Sequence, residues 1–225
     1  PNATLEEIGE AIRRFHRLGP EAVELTGAAD KGVRVALIER FFTSQLDFIA
    51  TAQRHLGIAD FHELLQQIVG PPRTRGKLGG KSAGLFLASR ILARAGVDNP
   101  RLRDIRTPRT WYLPSDALVE FIQFNNLEEV YNHKYSDIEQ VRHDYPHLVQ
   151  VFKNSAFPPE MIRGLALVLD DFADKPIIVR SSSLLEDRFG AAFSGKYKSL
   201  FLANRGTRQE RLAALLDAIA EVYAS

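Results

Sequence analysis

The chain has 225 residues, a formal net charge of +1, 45% apolar and 25% charged residues, and no cysteine. That length carries one large domain or two small ones, with core enough to need no covalent staples. The near-neutral charge argues against a nucleic-acid or anionic-membrane partner, and the missing cysteines exclude disulfides, thiolate metal sites and cysteine catalysis.

No apolar run is long enough to span a bilayer, and Pro1-Asn2-Ala3-Thr4 lacks the basic head and apolar segment of a signal peptide. The expected location is cytoplasmic. The opening lacks an initiator Met, so the chain is expected to be an excerpt of a longer protein.

Residues 4 to about 69 read as helices. Thr4 and Glu7 have the spacing of a capping box, and Ile8, Ile12, Phe15 and Leu18 then form an apolar stripe at helical spacing. Gly19-Pro20 ends it. A second helical segment is predicted from Val33 to about Leu56, and a third from about Asp60 to Val69. The segment 1–70 is accordingly read as a helical extension.

At Gly70-Pro71-Pro72 the texture changes. A basic, glycine-rich loop, Arg73 to Lys81, runs into a helix that begins at Ser82-Ala83-Gly84 and ends near Gly96. A short strand is predicted around Thr110 to Leu113, and Pro114-Ser115-Asp116 then caps a helix containing Leu118, Phe121 and Ile122. The polar stretch from Asn125 to Phe157 carries no clear signal. Pro158-Pro159 opens another helix, and Ile177-Ile178-Val179 is a β-branched run typical of a buried strand. A loop with Gly190 and Gly195 leads to a second strand-like run, Tyr197 to Leu202, and Gly206-Thr207 starts a final helix reaching about Tyr223. The alternation after residue 70 predicts an α+β (α/β-like) domain over 71–225.

Two segments point to phosphate chemistry. Gly79-Gly80-Lys81-Ser82 stands at the mouth of a helix, where unpaired backbone N–H groups and the helix dipole favour an anion and lysine adds a point charge. A P-loop would require glycine at position 75, where this chain has Arg75, so that motif is rejected. The alternative is a basic loop that only turns the chain. In the second segment, Arg180 ends the strand 177–179 and is followed by Ser181-Ser182-Ser183. Arginine there can grip phosphate oxygens in a bidentate fork, or can pair with Glu186 or Asp187 and fix its own loop. The loop from Ser182 to Lys196 has the small residues and glycines of a lid.

Together the two segments resemble the N-terminal, ATP-binding part of the phosphoenolpyruvate synthase / pyruvate phosphate dikinase family. Gly79-Gly80-Lys81-Ser82-Ala83-Gly84-Leu85 matches its opening motif, and Val179-Arg180-Ser181-Ser182, Glu186-Asp187 and Phe193-Ser194-Gly195 match a later phrase in the same order. The resemblance implies an ATP-grasp fold, here its first part. It implies Lys81 and Arg180 as catalytic, phosphate-contacting cations, with Gly79 and Gly80 beside Lys81 in the nucleotide site. Gly195 would be the glycine of the phosphate-covering loop, and Ser199 stands where the family has threonine near the nucleotide. Lys196, Leu184 and Leu185 depart from the pattern of that loop. ATP and Mg²⁺ are the implied cofactors, with the metal ligands expected outside this chain. The implied activity is phosphoryl transfer from ATP, through a phosphohistidine domain of the same parent protein, to pyruvate or a related acceptor. The rival readings are a non-catalytic ATP-sensing module and an interaction domain working through the helical extension.

His143 and His147 have metal-ligand spacing but flank Pro146 without a third partner, and Asp170-Asp171 with Asp174 reads as a solvated turn; no metal site is assigned within the chain.

Overall fold

The computed structural model describes residues 3–18, 27–183, 187–188, 191–192 and 197–225. It is a mostly helical α+β arrangement. In chain order the helices are α1 (Leu5–Leu18), α2 (Gly27–Phe41), α3 (Leu46–His55), α4 (Ile58–Leu65), α5 (Gly80–Asp98) and α6 (Ser115–Phe124). A 3₁₀ helix (Glu128–Tyr135), α7 (Ile138–Lys153) and α8 (Pro159–Phe172) follow. Then come strands β1 (Ile177–Arg180), β2 (Asp187–Arg188), β3 (Ala191–Ala192) and β4 (Ser199–Leu202), and the last helix, α9 (Arg208–Tyr223). Among the described residues, no helix is long and apolar enough to cross a membrane.

The chain divides into two compact units, Pro1–Asp116 with Ser182–Ala191, and Ala117–Ser181 with Ala192–Ser225. The first unit carries the helical segment and the glycine-lysine loop together. Its core joins Ile8 and Ile12 of α1, Ile38 and Phe41 of α2, Phe61 and Leu64 of α4, and Ala83, Phe86 and Leu87 of α5. Phe42 lies 6.2 Å from Phe61 and 5.7 Å from Phe86, ring centre to ring centre, within the range of favourable aromatic pairs. Through Phe86 the helix that begins at the glycine-lysine loop is therefore anchored in the same apolar cluster as α2 and α4.

The capping box at α1 forms as the spacing predicts. The Glu7 amide donates to Thr4 Oγ1 at 3.2 Å, and the Thr4 amide donates to Glu7 Oε2 at 2.7 Å. The single helix expected over 33–56 is instead two, α2 and α3. The chain turns at Thr43, whose hydroxyl accepts the Gln45 amide at 3.2 Å and so replaces a helical bond with a local one. The strand expected at 110–113 is one parallel bridge, Ile68 to Tyr112. Within the unassigned stretch 125–157, Asp137 starts α7 by accepting the Gln140 amide at 2.8 Å.

The second unit is built around α9. Phe121 meets Phe152, Phe157 and Tyr223 at 5.5, 4.7 and 5.7 Å between ring centres. Buried Met161, Leu165 and Leu169 of α8 and Leu215 and Ile219 of α9 extend this core. β1 and β4 pair antiparallel, with Ile177 opposite Leu202 and Arg180 opposite Ser199, and α9 packs against both strands. Thr207 caps α9, accepting the Glu210 amide at 3.3 Å while Glu210 Oε2 accepts the Thr207 amide at 2.7 Å. Asn204 and Arg211 hold the end of α8: Asn204 Nδ2 donates to the Ala173 and Lys175 carbonyls at 3.0 and 2.8 Å, and Arg211 Nη2 donates to the Leu169 carbonyl at 3.1 Å.

Candidate functional site

In the first unit the candidate site is the loop 72–79 and the start of α5. The loop has no regular structure, so each of its peptide groups needs a partner from elsewhere. The Leu5 amide donates to the Thr74 carbonyl at 3.0 Å and the Glu6 amide to the Pro72 carbonyl at 3.1 Å. The Leu78 amide donates to the Phe41 carbonyl at 2.7 Å, and Lys77 exchanges backbone and hydroxyl bonds with Ser115 at 3.0 and 3.1 Å.

Two charged side chains add bonds to the middle of the loop. Arg40, in the last turn of α2 and only 6% exposed, donates from Nε to the Ala3 carbonyl at 2.8 Å. Its Nη1 donates to the Gly76 carbonyl at 3.2 Å and its Nη2 to the Thr74 carbonyl at 3.0 Å. Burial lowers the Arg40 pKa from its usual value, and the nearby Asp116 carboxylate opposes that shift. Asp116, in the first turn of α6, accepts the Arg75 and Gly76 amides at 2.7 and 2.9 Å and the Thr74 hydroxyl as well. A side chain on Gly76 would run into Asp116, which accounts for glycine there.

Gly79 precedes α5 in an extended conformation, with φ −74 and ψ 177, and offers no side-chain cap. Glycine is required here by close approach rather than by φ, because a Cβ would collide with the Ser182 carbonyl. Ser182 also supplies the helix terminus with a partner. Its Oγ accepts the Ser82 amide at 3.0 Å and the Ser82 hydroxyl at 2.9 Å. Ser182 is thus laid directly on the first turn of α5. An amide in the first turn of a helix otherwise lacks an intrahelical acceptor, which is the property an anion exploits. Lys81 follows Gly80 in that same turn and is partly exposed.

In the second unit Arg180 closes β1, opposite Ser199 of β4. Burial alternates along both strands. Ile177 is buried and Val179, Leu200 and Leu202 are half-buried, whereas Ile178, Arg180, Ser199 and Phe201 are exposed. Directly paired residues share a face, so Arg180 and Ser199 lie on one open face together with Ile178 and Phe201, which are 43% and 82% exposed. The second unit thus brings two of the sequence-derived site residues side by side, and the first unit holds Gly79, Gly80 and Lys81 consecutively. Gly195 and Lys196 lie outside the described residues, as does most of the proposed lid. Glu186 and the Asp187 side chain, the alternative partners of Arg180, do too.

Among the described residues, no three of His, Cys, Asp and Glu converge to hold a metal ion. His143 Nδ1 lies 3.0 Å from Asp144, and Asp170 is held by Arg208 in a two-point pair at 2.9 and 2.8 Å. An open groove of about 670 Å³ along the second half of α5, lined in part by Val97, Leu102 and Ile105, contains none of the residues above.

Sequence reasoning missed Arg40 and the loop-binding role of Asp116. Asp116 carried a signal, since a carboxylate after Pro114-Ser115 reads as a helix-start residue, but its partners lie 40 and 41 positions back in the chain. Arg40 carried none.

Residues 75–225 match the family model described as the pyruvate phosphate dikinase AMP/ATP-binding domain. Comparison with curated proteins and with solved structures gives no significant match.

Proposed function

The chain belongs to the pyruvate phosphate dikinase AMP/ATP-binding domain family, and on that basis we propose that Lys81 and Arg180 bind the polyphosphate of one ATP molecule in an ATP-grasp arrangement. Residues 75–225 are the ATP/AMP-binding portion of a pyruvate phosphate dikinase-like enzyme. In the proposed site, Gly79 and Gly80 let the backbone approach the phosphates while Lys81 supplies a point charge and Arg180 a planar fork of donors. Ser199 sits beside Arg180 on the open strand face, and Gly195 belongs to the segment that covers the phosphates. The parent protein passes a phosphoryl group from ATP to a histidine in another of its domains, and from there to pyruvate or a related acceptor. Mg²⁺, where bound, neutralises phosphate charge; the residues described here offer no set of ligands for it.

The observation that carries this reading is the bond from the Ser82 amide to Ser182 Oγ at 3.0 Å. It brings Ser182, from the second motif, to the first turn of the glycine-lysine helix, although the two motifs lie far apart in sequence. Ser182 there occupies an amide that a phosphate oxygen would use equally well.

The test is phosphoryl transfer and melting temperature measured together on the full-length protein. Lys81→Ala and Arg180→Ala should each remove about 2–4 kcal/mol of transition-state stabilisation, a rate loss of roughly 30- to 900-fold, with the melting temperature nearly unchanged. Near-normal transfer in Lys81→Ala would remove that residue from the site. A large stability loss in Arg180→Ala with modest loss of rate would make Arg180 a loop anchor.

A further inference from the structure

The loop that leads into the proposed phosphate site is irregular yet held by many hydrogen bonds, and its partners come from outside the family-matched span as well as from within it. Ala3, Leu5, Glu6, Arg40 and Phe41 all precede residue 70, and each bonds to Arg40 or to the loop. From the opposite side Asp116 takes the amides of Arg75 and Gly76. A buried cation therefore collects the carbonyls of Thr74 and Gly76 while a carboxylate collects the adjoining amides. The two peptide polarities of a three-residue stretch are fixed by charges of opposite sign. Such charge-assisted bonds are stronger than neutral ones, and a guanidinium can reach three carbonyls at once where an ammonium cannot match the geometry.

We propose that the N-terminal helices form a positioning frame for the nucleotide loop, with Arg40 as the positioning residue that sets where Gly79, Gly80 and Lys81 stand. The inference rests on the reading of Gly79 to Ser82 as a phosphate-binding segment. It gives the start of α1 and the end of α2 a role in the same site: they hold the approach to α5 in its binding geometry before nucleotide arrives. Arg40 touches no phosphate. It acts through the loop, and the five residues from Gly76 to Gly80 transmit its placement to Lys81. The anchoring of α5 by Phe86 fixes the helix axis, so the loop geometry decides how the first turn presents its donors.

The experiment compares three variants of the full-length protein. Arg40→Met removes the three carbonyl bonds while keeping an unbranched apolar stem. Arg40→Lys keeps the charge without the fork. Arg94→Met is the comparator, because Arg94 belongs to the same unit but binds Asp60 and the His55 carbonyl, away from the loop. Two readouts are taken: amide hydrogen exchange of residues 74–78 without nucleotide, and affinity for a non-hydrolysable ATP analogue. Arg40→Met should speed exchange at Gly76 and Leu78 and weaken analogue binding by about tenfold, with a smaller change in Arg40→Lys. Arg94→Met should lower the melting temperature without either effect. Unchanged exchange at Gly76 and Leu78 in Arg40→Met overturns the proposal, as does equal weakening of analogue binding in Arg94→Met. Should Arg40→Met not fold, Arg40→Lys and Asp116→Asn supply the same readouts from the two sides of the loop. Absence of analogue binding in the unaltered protein would refute the ATP reading alone, since the exchange data test the frame without nucleotide.

Discussion

Lys81 follows a loop whose peptide groups are bonded on both sides, to Arg40 and to Asp116, whereas Arg180 ends a strand with one face open to solvent. Both residues are cations in the proposed site, but their surroundings differ in kind. The loop before Lys81 is irregular backbone made rigid by side chains, and ordering it costs about 1–2 kcal/mol per residue, a cost already met in the absence of ligand. A donor array fixed in advance needs little rearrangement when an anion arrives. Arg180 sits instead on a two-stranded sheet, an element of marginal stability by itself, which packs against α9 among the described residues. The contrast assigns geometry to the first region and adaptability to the second.

The largest effect that would sharpen this contrast is on packing. Phe61 is fully buried among Phe41, Phe42 and Phe86, so Phe61→Ala should cost about 3–5 kcal/mol. Phe201 on the open face is 82% exposed, and Phe201→Ala should stay within about 0.5 kcal/mol. Chemical denaturation of the two variants measures both. A cost above about 2 kcal/mol for Phe201→Ala would mean that the face is covered in the protein and would break the comparison.

Next in size is Gly79→Ala. The added methyl group would meet the Ser182 carbonyl, and the backbone must move to admit it. A loss of about 1–3 kcal/mol of stability is expected, together with weaker ATP-analogue binding. Gly84 has open space at the corresponding position, so Gly84→Ala serves as the control and should be neutral or slightly stabilising in its helix. Equal behaviour of the two would show that the approach of Ser182 to α5 is not tight in solution.

The smallest effect concerns pH in the second unit. Lys198 Nζ lies 2.7 Å from Glu221 and Lys153 Nζ 3.2 Å from it, and these bonds hold the Glu221 carboxyl below the usual range. A lowered folded-state pKa means that the unfolded chain binds the proton first as pH falls. The stabilisation is complete above the ordinary glutamate value of about 4.3 and is lost as pH drops through the folded value. Glu221→Gln should flatten the stability profile in that acidic window by less than about 1 kcal/mol. An unchanged profile would show that the lysines are not engaged.

Much of the helical frame was legible because its signals are local. Thr4 and Glu7 announce α1, Pro158-Pro159 announces α8, and the β-branched run 177–179 announces β1. The break between α2 and α3 was not, because the apolar stripe continues across it and only the Thr43 hydroxyl marks the turn. The 110–113 strand failed for the opposite reason: its residues favour strands, yet their neighbour at Ile68 offers a single bridge. In the site, the glycine-lysine and arginine-serine segments stood out through side-chain chemistry. Arg40 did not, because its partners are backbone carbonyls, which every sequence possesses and none advertises.

The central claim is that the start of α5 and the end of β1 serve one nucleotide. It is tested most directly by hydrogen exchange on the full-length protein with and without a non-hydrolysable ATP analogue, read at residues 79–84 and 177–183. The account predicts that saturating analogue slows exchange in both segments together, and that Lys81→Ala abolishes the change in both at the same concentration. Protection confined to one segment, or protection of both that survives Lys81→Ala unaltered, would contradict it.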